Sequence, residues 1–309
     1  MSSLVVHNLF GVTDYVAEAI KDIRYYARQF SLCLRFSGGK DSIVARRLLE
    51  MAGVDFQIRF SRSSVDPPEL LAFIRKYHPD VIIEDPRITM FQIIPKKGFP
   101  PTRKCRYCCK EFKERNTCPK GDFALTATGV RRQESPKRAA RHSMEYCHSD
   151  DRVRFFHPIL DWSAEQVWEF ISLERLPYPS IYDEGFERIG CVGCPLTSAK
   201  NIRREFARWP NFEKAYLWAF DKMLEGRTFD KWKNKFDVME WYIEGVHEKY
   251  KQLEGQVSMF DGDFFEHHRT DDWEYYMGKD TTDIELEDAV RVLSPNEIND
   301  FKREERSAA

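Results

Sequence analysis

No stretch of the 309 residues approaches the roughly 18 to 20 uninterrupted apolar residues that a membrane-spanning helix requires, and Met1 to Asn8 lacks a basic region followed by an apolar core. Neither a membrane partner nor a secretory leader is expected, and the chain is assigned to the cytoplasm. A strong excess of one charge is also lacking. Lys and Arg number 48 against 50 Asp and Glu, a net charge of -2, so the molecule is not a polycation that coats nucleic acid, and any such contact must be local. The first glycine of a Walker A loop is missing too, because Leu34 stands where that glycine would precede Gly39-Lys40. No internal repeat is found. Cysteine is not scarce: eight in a large, charged chain point to metal or redox chemistry rather than to a disulfide framework.

What is present begins with Ser37-Gly38-Gly39-Lys40-Asp41-Ser42, set between the apolar run Leu32 to Phe36 and a helical stretch from Ile43 to Met51. A strand, a glycine turn and a helix N-terminus in succession expose backbone N–H groups to which the helix dipole adds positive potential, the setting for an anion such as a nucleotide phosphate. Thr13 to Phe30 has helical periodicity behind a Thr13 cap. Leu32 to Phe36, Phe56 to Phe60, Val81 to Ile83, Phe123 to Ala127 and Val153 to Phe156 read as strands, and Asp66-Pro67-Pro68-Glu69 as a helix start. Strands alternating with helices predict an α/β fold, a doubly wound and mostly parallel sheet with its ligand at the carboxyl ends of the strands. From Ser163, which forms a capping box with Gln166, the chain reads as helical through Tyr250. The aromatic run Phe206, Trp209, Phe212, Tyr216, Trp218 and Phe220 is expected to pack between helices. The expected division is a nucleotide-binding domain over 1–162, a helical region over 163–258, and an irregular acidic segment with two short helices over 259–309.

Five cysteines cluster as Cys105, Cys108 and Cys109, then Cys191-Val192-Gly193-Cys194. Four thiolates suffice for tetrahedral zinc or for a [4Fe-4S] cluster, and the residues alone do not choose. Cys33 is expected in the core; Cys118 and Cys147 are read as plain loop or buried cysteines, with a sulfur-accepting thiol as the alternative. Arg131 or Arg132, after the strand ending at Ala127, has the chemistry for bidentate bonds to phosphate or sulfate oxygens. Lys137, Arg138, Arg141, Arg152 and Arg154, partly offset by Asp150 and Asp151, form a local basic patch suited to a polyanionic or nucleic-acid substrate.

Ser37-Gly38-Gly39-Lys40-Asp41-Ser42 resembles the PP-loop of the ATP pyrophosphatase superfamily. Gly129-Val130-Arg131-Arg132-Gln133-Glu134-Ser135, the segment His157-Pro158-Ile159-Leu160-Asp161-Trp162 and the split cysteines resemble the phosphoadenylylsulfate (PAPS) reductase family within it, over Leu32 to Pro195. The resemblance implies ATP or a sulfonucleotide at Ser37, Gly38, Gly39, Lys40, Asp41, Ser42, Gly129, Arg131 and Arg132, with Lys40, Asp41 and Arg131 as the catalytic set and Mg²⁺ near Asp41. The tandem Cys108-Cys109 with the later Cys-x-x-Cys, and Lys113 beyond them, implies [4Fe-4S] rather than zinc, held by Cys108, Cys191, Cys194 and either Cys105 or Cys109. Reductases of the family use a cysteine in a C-terminal Glu-Cys-Gly-x-His motif, and no cysteine follows Cys194 here. The expectation is therefore an ATP-cleaving, adenylating iron–sulfur enzyme that activates a nucleic acid or nucleotide for sulfur transfer, with a sulfur-donor protein as a possible partner. The alternatives are a sulfite-releasing reductase using Cys118 or Cys147, and a non-catalytic nucleotide-binding subunit with structural zinc.

Overall fold

The computed structural model describes residues 3–8, 11–114, 118–147, 150–227 and 231–244. The expected segment 259–309 and the end of the helical stretch before it lie outside these residues. Over the described residues the chain divides into two compact units, one drawn from Met1–Arg62, Glu69–Asp85 and Asn116–Ile189, the other from Ser63–Pro68, Pro86–Arg115 and the residues from Gly190 on. The division is interleaved, whereas the sequence suggested consecutive blocks.

The first unit is built on a six-stranded sheet. Its strands are β3 (Ser31–Arg35), β4 (Phe56–Ser61), β5 (Ile82–Glu84), β6 (Ala124–Ala127), β7 (Met144–Cys147) and β8 (Asp150–Phe156), in the order β5-β4-β3-β6-β8-β7. Every neighbouring pair is parallel except β7 with β8. This is the expected α/β class. A hairpin of β1 (Val5–Asn8) and β2 (Gly11–Asp14) precedes α1 (Tyr15–Ala27). The sequence did not reveal that hairpin, and Asp14 rather than Thr13 caps α1, accepting from the Val16 and Ala17 amides at 3.0 Å, because Thr13 is a strand residue.

Helix α2 (Lys40–Ala52) buries Val44, Ala45, Leu48, Leu49 and Ala52, an i, i+4 stripe that fixes one face inward, and ends at Gly53 in the left-handed region. α3 (Pro68–Tyr77) follows β4, the single turn α6 (Pro136–Ala139) follows β6, and α7 (Ala164–Leu173) starts at the expected Ser163–Gln166 capping box. From β3 the chain winds outward to β4 and β5, then returns to place β6 on the other side of β3. The gap between the ends of β3 and β6 is thus the reversal point at which an open parallel sheet leaves a crevice.

The second unit is helical: α4 (Met90–Lys97), α5 (Tyr107–Phe112), α8 (Ala199–Arg208), α9 (Pro210–Leu224) and α10 (Lys235–Glu244). Helix α9 buries Phe212, Ala215, Tyr216, Ala219, Phe220 and Met223, and its neighbours α8 and α10 add Phe206 and Tyr242. The aromatic run is helix-packing core, as expected, with Trp218 half-buried. No helix among the described residues is long and apolar enough to cross a membrane.

Candidate functional site

Strand β3 delivers Ser37–Ser42 to the reversal point. Gly38 takes φ +71°, and a Cβ there would lie 2.6 Å from Leu70 Cδ1, so both conformation and space demand glycine. The turn closes on itself: the Ser37 amide donates to Ser42 Oγ at 3.2 Å, and Ser42 Oγ donates to the Gly39 carbonyl at 2.8 Å. Gly129, just past β6, lies against the first turn of α2, where a Cβ would meet the Asp41 carbonyl at 2.7 Å and the Ser42 nitrogen at 2.8 Å. The glycines of the two motifs therefore bring the ends of β3 and β6 to one place.

The charged residues are arranged less simply. Arg131 is 4% exposed; its Nε donates to Asp41 Oδ1 at 2.6 Å and its Nη1 to Gln133 Oε1 at 3.1 Å and the Trp162 carbonyl at 3.3 Å. The other Asp41 oxygen lies 3.4 Å from Lys40 Nζ. Arg132 donates to Asp161 at 2.5 Å, to the Ala139 carbonyl at 2.7 Å and to the Arg141 carbonyl. The two arginines thus bind the sheet end, the α2 N-terminus and the loop before α7 together. In the basic patch Arg138 pairs with Glu134, Arg141 with Glu145 at 2.8 Å and Arg154 with Asp122 at 3.6 Å, so much of its charge is met locally.

One residue at the loop carried no sequence signal. The Lys40 amide, which a helix N-terminus offers to an anion, donates to the phenol oxygen of Tyr182 at 3.0 Å, and Lys40 Nζ donates to the Glu187 carbonyl at 3.1 Å. Burial pushes the Tyr182 phenol well above its ordinary pKa, so it is neutral at physiological pH.

Cys108, Cys109, Cys191 and Cys194 of the second unit share one electrostatic environment. Cys108 donates to Cys109 and is pushed up by that bond, by burial and by Cys109, Cys191 and Cys194; Cys109 is lowered to about 6, first by the Cys108 bond and further by Lys113 and Arg106. Burial raises Cys105, Cys191 and Cys194. Lys113 donates to Cys191 and is held above its usual range chiefly by that sulfur. Three helices anchor the Cys191–Cys194 loop: the Gly193 amide donates to Glu205 Oε2 at 2.7 Å, Tyr216 donates to the Val192 carbonyl at 3.1 Å, and Tyr242 to the Gly193 carbonyl at 2.5 Å. Burial lifts Glu205 to about 7, against the Gly193 amide. Among the described residues no three metal-donor side chains converge on a single ion position. In the first unit Cys33 and Cys118 are buried, as expected of a core and a buried cysteine, but they form a disulfide that the sequence did not suggest, and the bond removes Cys118 as an accepting thiol. Cys147 is not disulfide-bonded and is half-buried at the end of β7.

The family model for the phosphoadenosine phosphosulfate reductase domain matches residues 31–197, more than half of the chain, from the strand before the loop to just past the second cysteine pair. The chain belongs to the phosphoadenosine phosphosulfate reductase family. Similar relatives are the uncharacterized protein MJ0973 of Methanocaldococcus jannaschii, 28% identical over 67% of this chain and 53% of that protein, and an adenosine 5'-phosphosulfate reductase of Geobacillus kaustophilus, 28% identical over 64% and 85%. The chain spans about half the length of MJ0973 and of a second Methanocaldococcus jannaschii relative, MJ0066. A solved PAPS reductase from Candida auris, in a phosphate complex, is similar at 17% identity and TM-score 0.44 over 56% of this chain and 88% of that one. Membership accounts for a nucleotide-binding α/β unit carrying both the loop and the Gly129–Ser135 segment.

Proposed function

We propose that this family member binds ATP at Ser37–Ser42 and cleaves it between the α and β phosphates to adenylate an acceptor, nucleic acid or nucleotide, for sulfur transfer, with a [4Fe-4S] cluster held by the split cysteines. The observation that carries the reading is Lys113: its ammonium is bonded to Cys191 and opposes the upward push of burial on Cys191 and Cys194, a cation set against sulfurs that a ligand set needs as thiolates and a structural thiol does not. A four-iron cluster takes one thiolate on each of four irons, so its donors need not converge on one ion, as tetrahedral zinc requires. Cys108, Cys191 and Cys194 with Cys109 or Cys105 are the candidate ligands, and Cys109 is the one already biased to the thiolate. When bound, the cluster would supply redox-active iron–sulfur chemistry to the transfer.

The chain's own residues supply positioning and charge neutralisation. Loop amides and Lys40 receive the phosphates, while Arg131 holds Asp41 and with it the first turn of α2. An acceptor oxygen attacks the α-phosphate and pyrophosphate leaves; a sulfide-level sulfur nucleophile from the donor protein then attacks the acceptor atom bearing that oxygen, and the bond to AMP breaks as AMP leaves with the oxygen. Both Asp41 oxygens face cations at 2.6 and 3.4 Å, so this arrangement does not fit a Mg²⁺ held by Asp41, and no step is assigned to it.

The test is anaerobic purification followed by iron and sulfide analysis, visible absorbance and pyrophosphate release from ATP with candidate acceptors and a sulfur-donor protein. Iron with ATP-dependent pyrophosphate release supports the reading; a zinc-only protein that binds ATP without cleaving it, or one that never turns it over, overturns it. A reductase is the second reading, supported by relatives named adenosine 5'-phosphosulfate reductases. It would need a nucleophilic thiol, and of the two candidates Cys118 is bonded to Cys33, leaving Cys147. Sulfite release that disappears in Cys147→Ser would establish it.

A further inference from the structure

We propose that the segment from Tyr182 to Glu187 is a latch that occupies the phosphate seat and must be displaced for nucleotide to bind, with the Tyr182 phenol oxygen standing in for a phosphate oxygen. The inference rests on the reading of Ser37–Ser42 as a nucleotide seat. Its grounds are positional. The phenol oxygen accepts from the Lys40 amide at 3.0 Å and lies so close over the Gly39–Lys40 peptide that a Cβ on Gly39 would come within 3.2 Å of it. Five residues on, the Glu187 carbonyl accepts from Lys40 Nζ at 3.1 Å. One short segment therefore takes both donors of the residue whose amide and ammonium an anion would use.

Several contacts that place the latch are local, and the Lys40 ammonium also lies over the Tyr182 ring, 5.4 Å from its centroid. Ser180–Tyr182 is a single 3-10 turn followed by the Gly185 amide bonding back to the Tyr182 carbonyl at 3.0 Å. The Tyr182 ring meets Trp168 edge-on at 5.1 Å, and Tyr178 donates to Asp183 at 3.0 Å. Glu184, Gly185, Glu187 and Arg188 are exposed, so what must come away is the half-buried Tyr182 ring, packed on Trp168 and Tyr178, and a strip of surface. The exchange favours the ligand: a neutral phenol and a carbonyl give way to charged phosphate oxygens, whose hydrogen bonds are about twice as strong. A neutral ligand would gain no such advantage, so the latch also selects for anions.

The experiment compares the wild-type chain with Tyr182→Phe, which keeps the ring on Trp168 and removes only the oxygen. Inorganic pyrophosphate and ATP are titrated by calorimetry, and exchange of the Lys40 amide is followed without ligand. Removing one competing hydrogen bond should tighten both ligands about three- to tenfold and speed Lys40 exchange. Tyr178→Phe, which frees Asp183, should shift binding the same way by less, and serves if Tyr182→Phe folds poorly. Weaker binding by Tyr182→Phe would make the hydroxyl a ligand contact, and unchanged binding with unchanged exchange would make it a bystander; either overturns the latch and leaves the nucleotide seat standing. If neither wild type nor variants bind pyrophosphate or ATP, the seat itself is misread and the latch falls with it.

Discussion

Replacing Gly129 with alanine tests whether the two glycine motifs act as one device. The added Cβ would stand 2.7 Å from the Asp41 carbonyl carbon and oxygen and 2.8 Å from the Ser42 nitrogen, against an ordinary contact of about 3.5–4.0 Å. All the obstructing atoms are backbone at the start of α2, so no side chain can turn away. The end of β6 and the first turn of α2 must separate by about 1 Å, and overpacking of this kind costs about 1–3 kcal/mol. The functional loss should be at least as large as the stability loss at its upper end, because a 1 Å displacement in a positioning element costs on the order of a hundredfold, about 2.7 kcal/mol. Pyrophosphate release and ATP affinity, measured beside a thermal melt, give both quantities. Gly190→Ala is the control, since a Cβ at Gly190 meets nothing within 4 Å. A Gly129→Ala protein with wild-type melting and wild-type ATP binding would refute the close approach on which the site's construction rests.

Arg131→Met should destabilise the first unit by about 3 kcal/mol, because it leaves the Asp41 carboxylate beside a sheet end without its 2.6 Å partner; adding Asp41→Asn should recover part of this in urea denaturation. Tyr242→Phe should cost about 1–3 kcal/mol by stripping the buried Gly193 carbonyl of its donor, and unchanged stability by the same denaturation would contradict the anchoring of the cysteine loop. Acid should destabilise the fold early. Burial is the main cause lowering both His78 and His157 to about 4 from 6.5, with Arg46 also opposing the charge of His78, and Arg141 and Arg138 that of His157 against the opposite pull of Glu145. A depressed folded pKa gives stability that is full above 6.5 and declines as pH falls toward 4, by up to about 3 kcal/mol for each histidine. His157→Gln should flatten that decline, and an equally steep acid limb in the variant would show that its burial is not the cause.

The parallel sheet was legible because its strands are short apolar runs followed by turn residues. Leu32 to Phe36 and Phe56 to Phe60 fall within one residue of β3 and β4, and the Ser163–Gln166 box starts α7 where its chemistry says it should. The hairpin of β1 and β2 was not legible, since Val5, Val6 and Val12 are exposed and bury no face that would impose a pattern. Edge strand β7 escaped for a similar reason: its residues are half-buried or exposed and its ladder with β8 is irregular at Tyr146/Cys147. Pairings across long separations were invisible in principle. Cys33 and Cys118 are 85 residues apart, and Tyr182 reaches Lys40 across 142.

For the cations near the loop, residue type and position show what a group is able to bind, while only the fold shows what it has already bound. Arg131 and Arg132 stand at the carboxyl end of β6, where the sequence placed phosphate-binding arginines, yet each spends its guanidinium on a carboxylate and on neighbouring acceptors. Taking a phosphate with Arg131 would strip the half-buried Asp41 of its partner and forfeit much of what the new bond supplies. Lys40 is different, because its amide and ammonium hold a phenol and a carbonyl, neutral acceptors that an anion outcompetes, and its contact with Asp41 is the longer one at 3.4 Å. On the proposed reading the recognition of a nucleotide therefore falls on Lys40 and the loop amides, with the arginines fixing the turn that presents them.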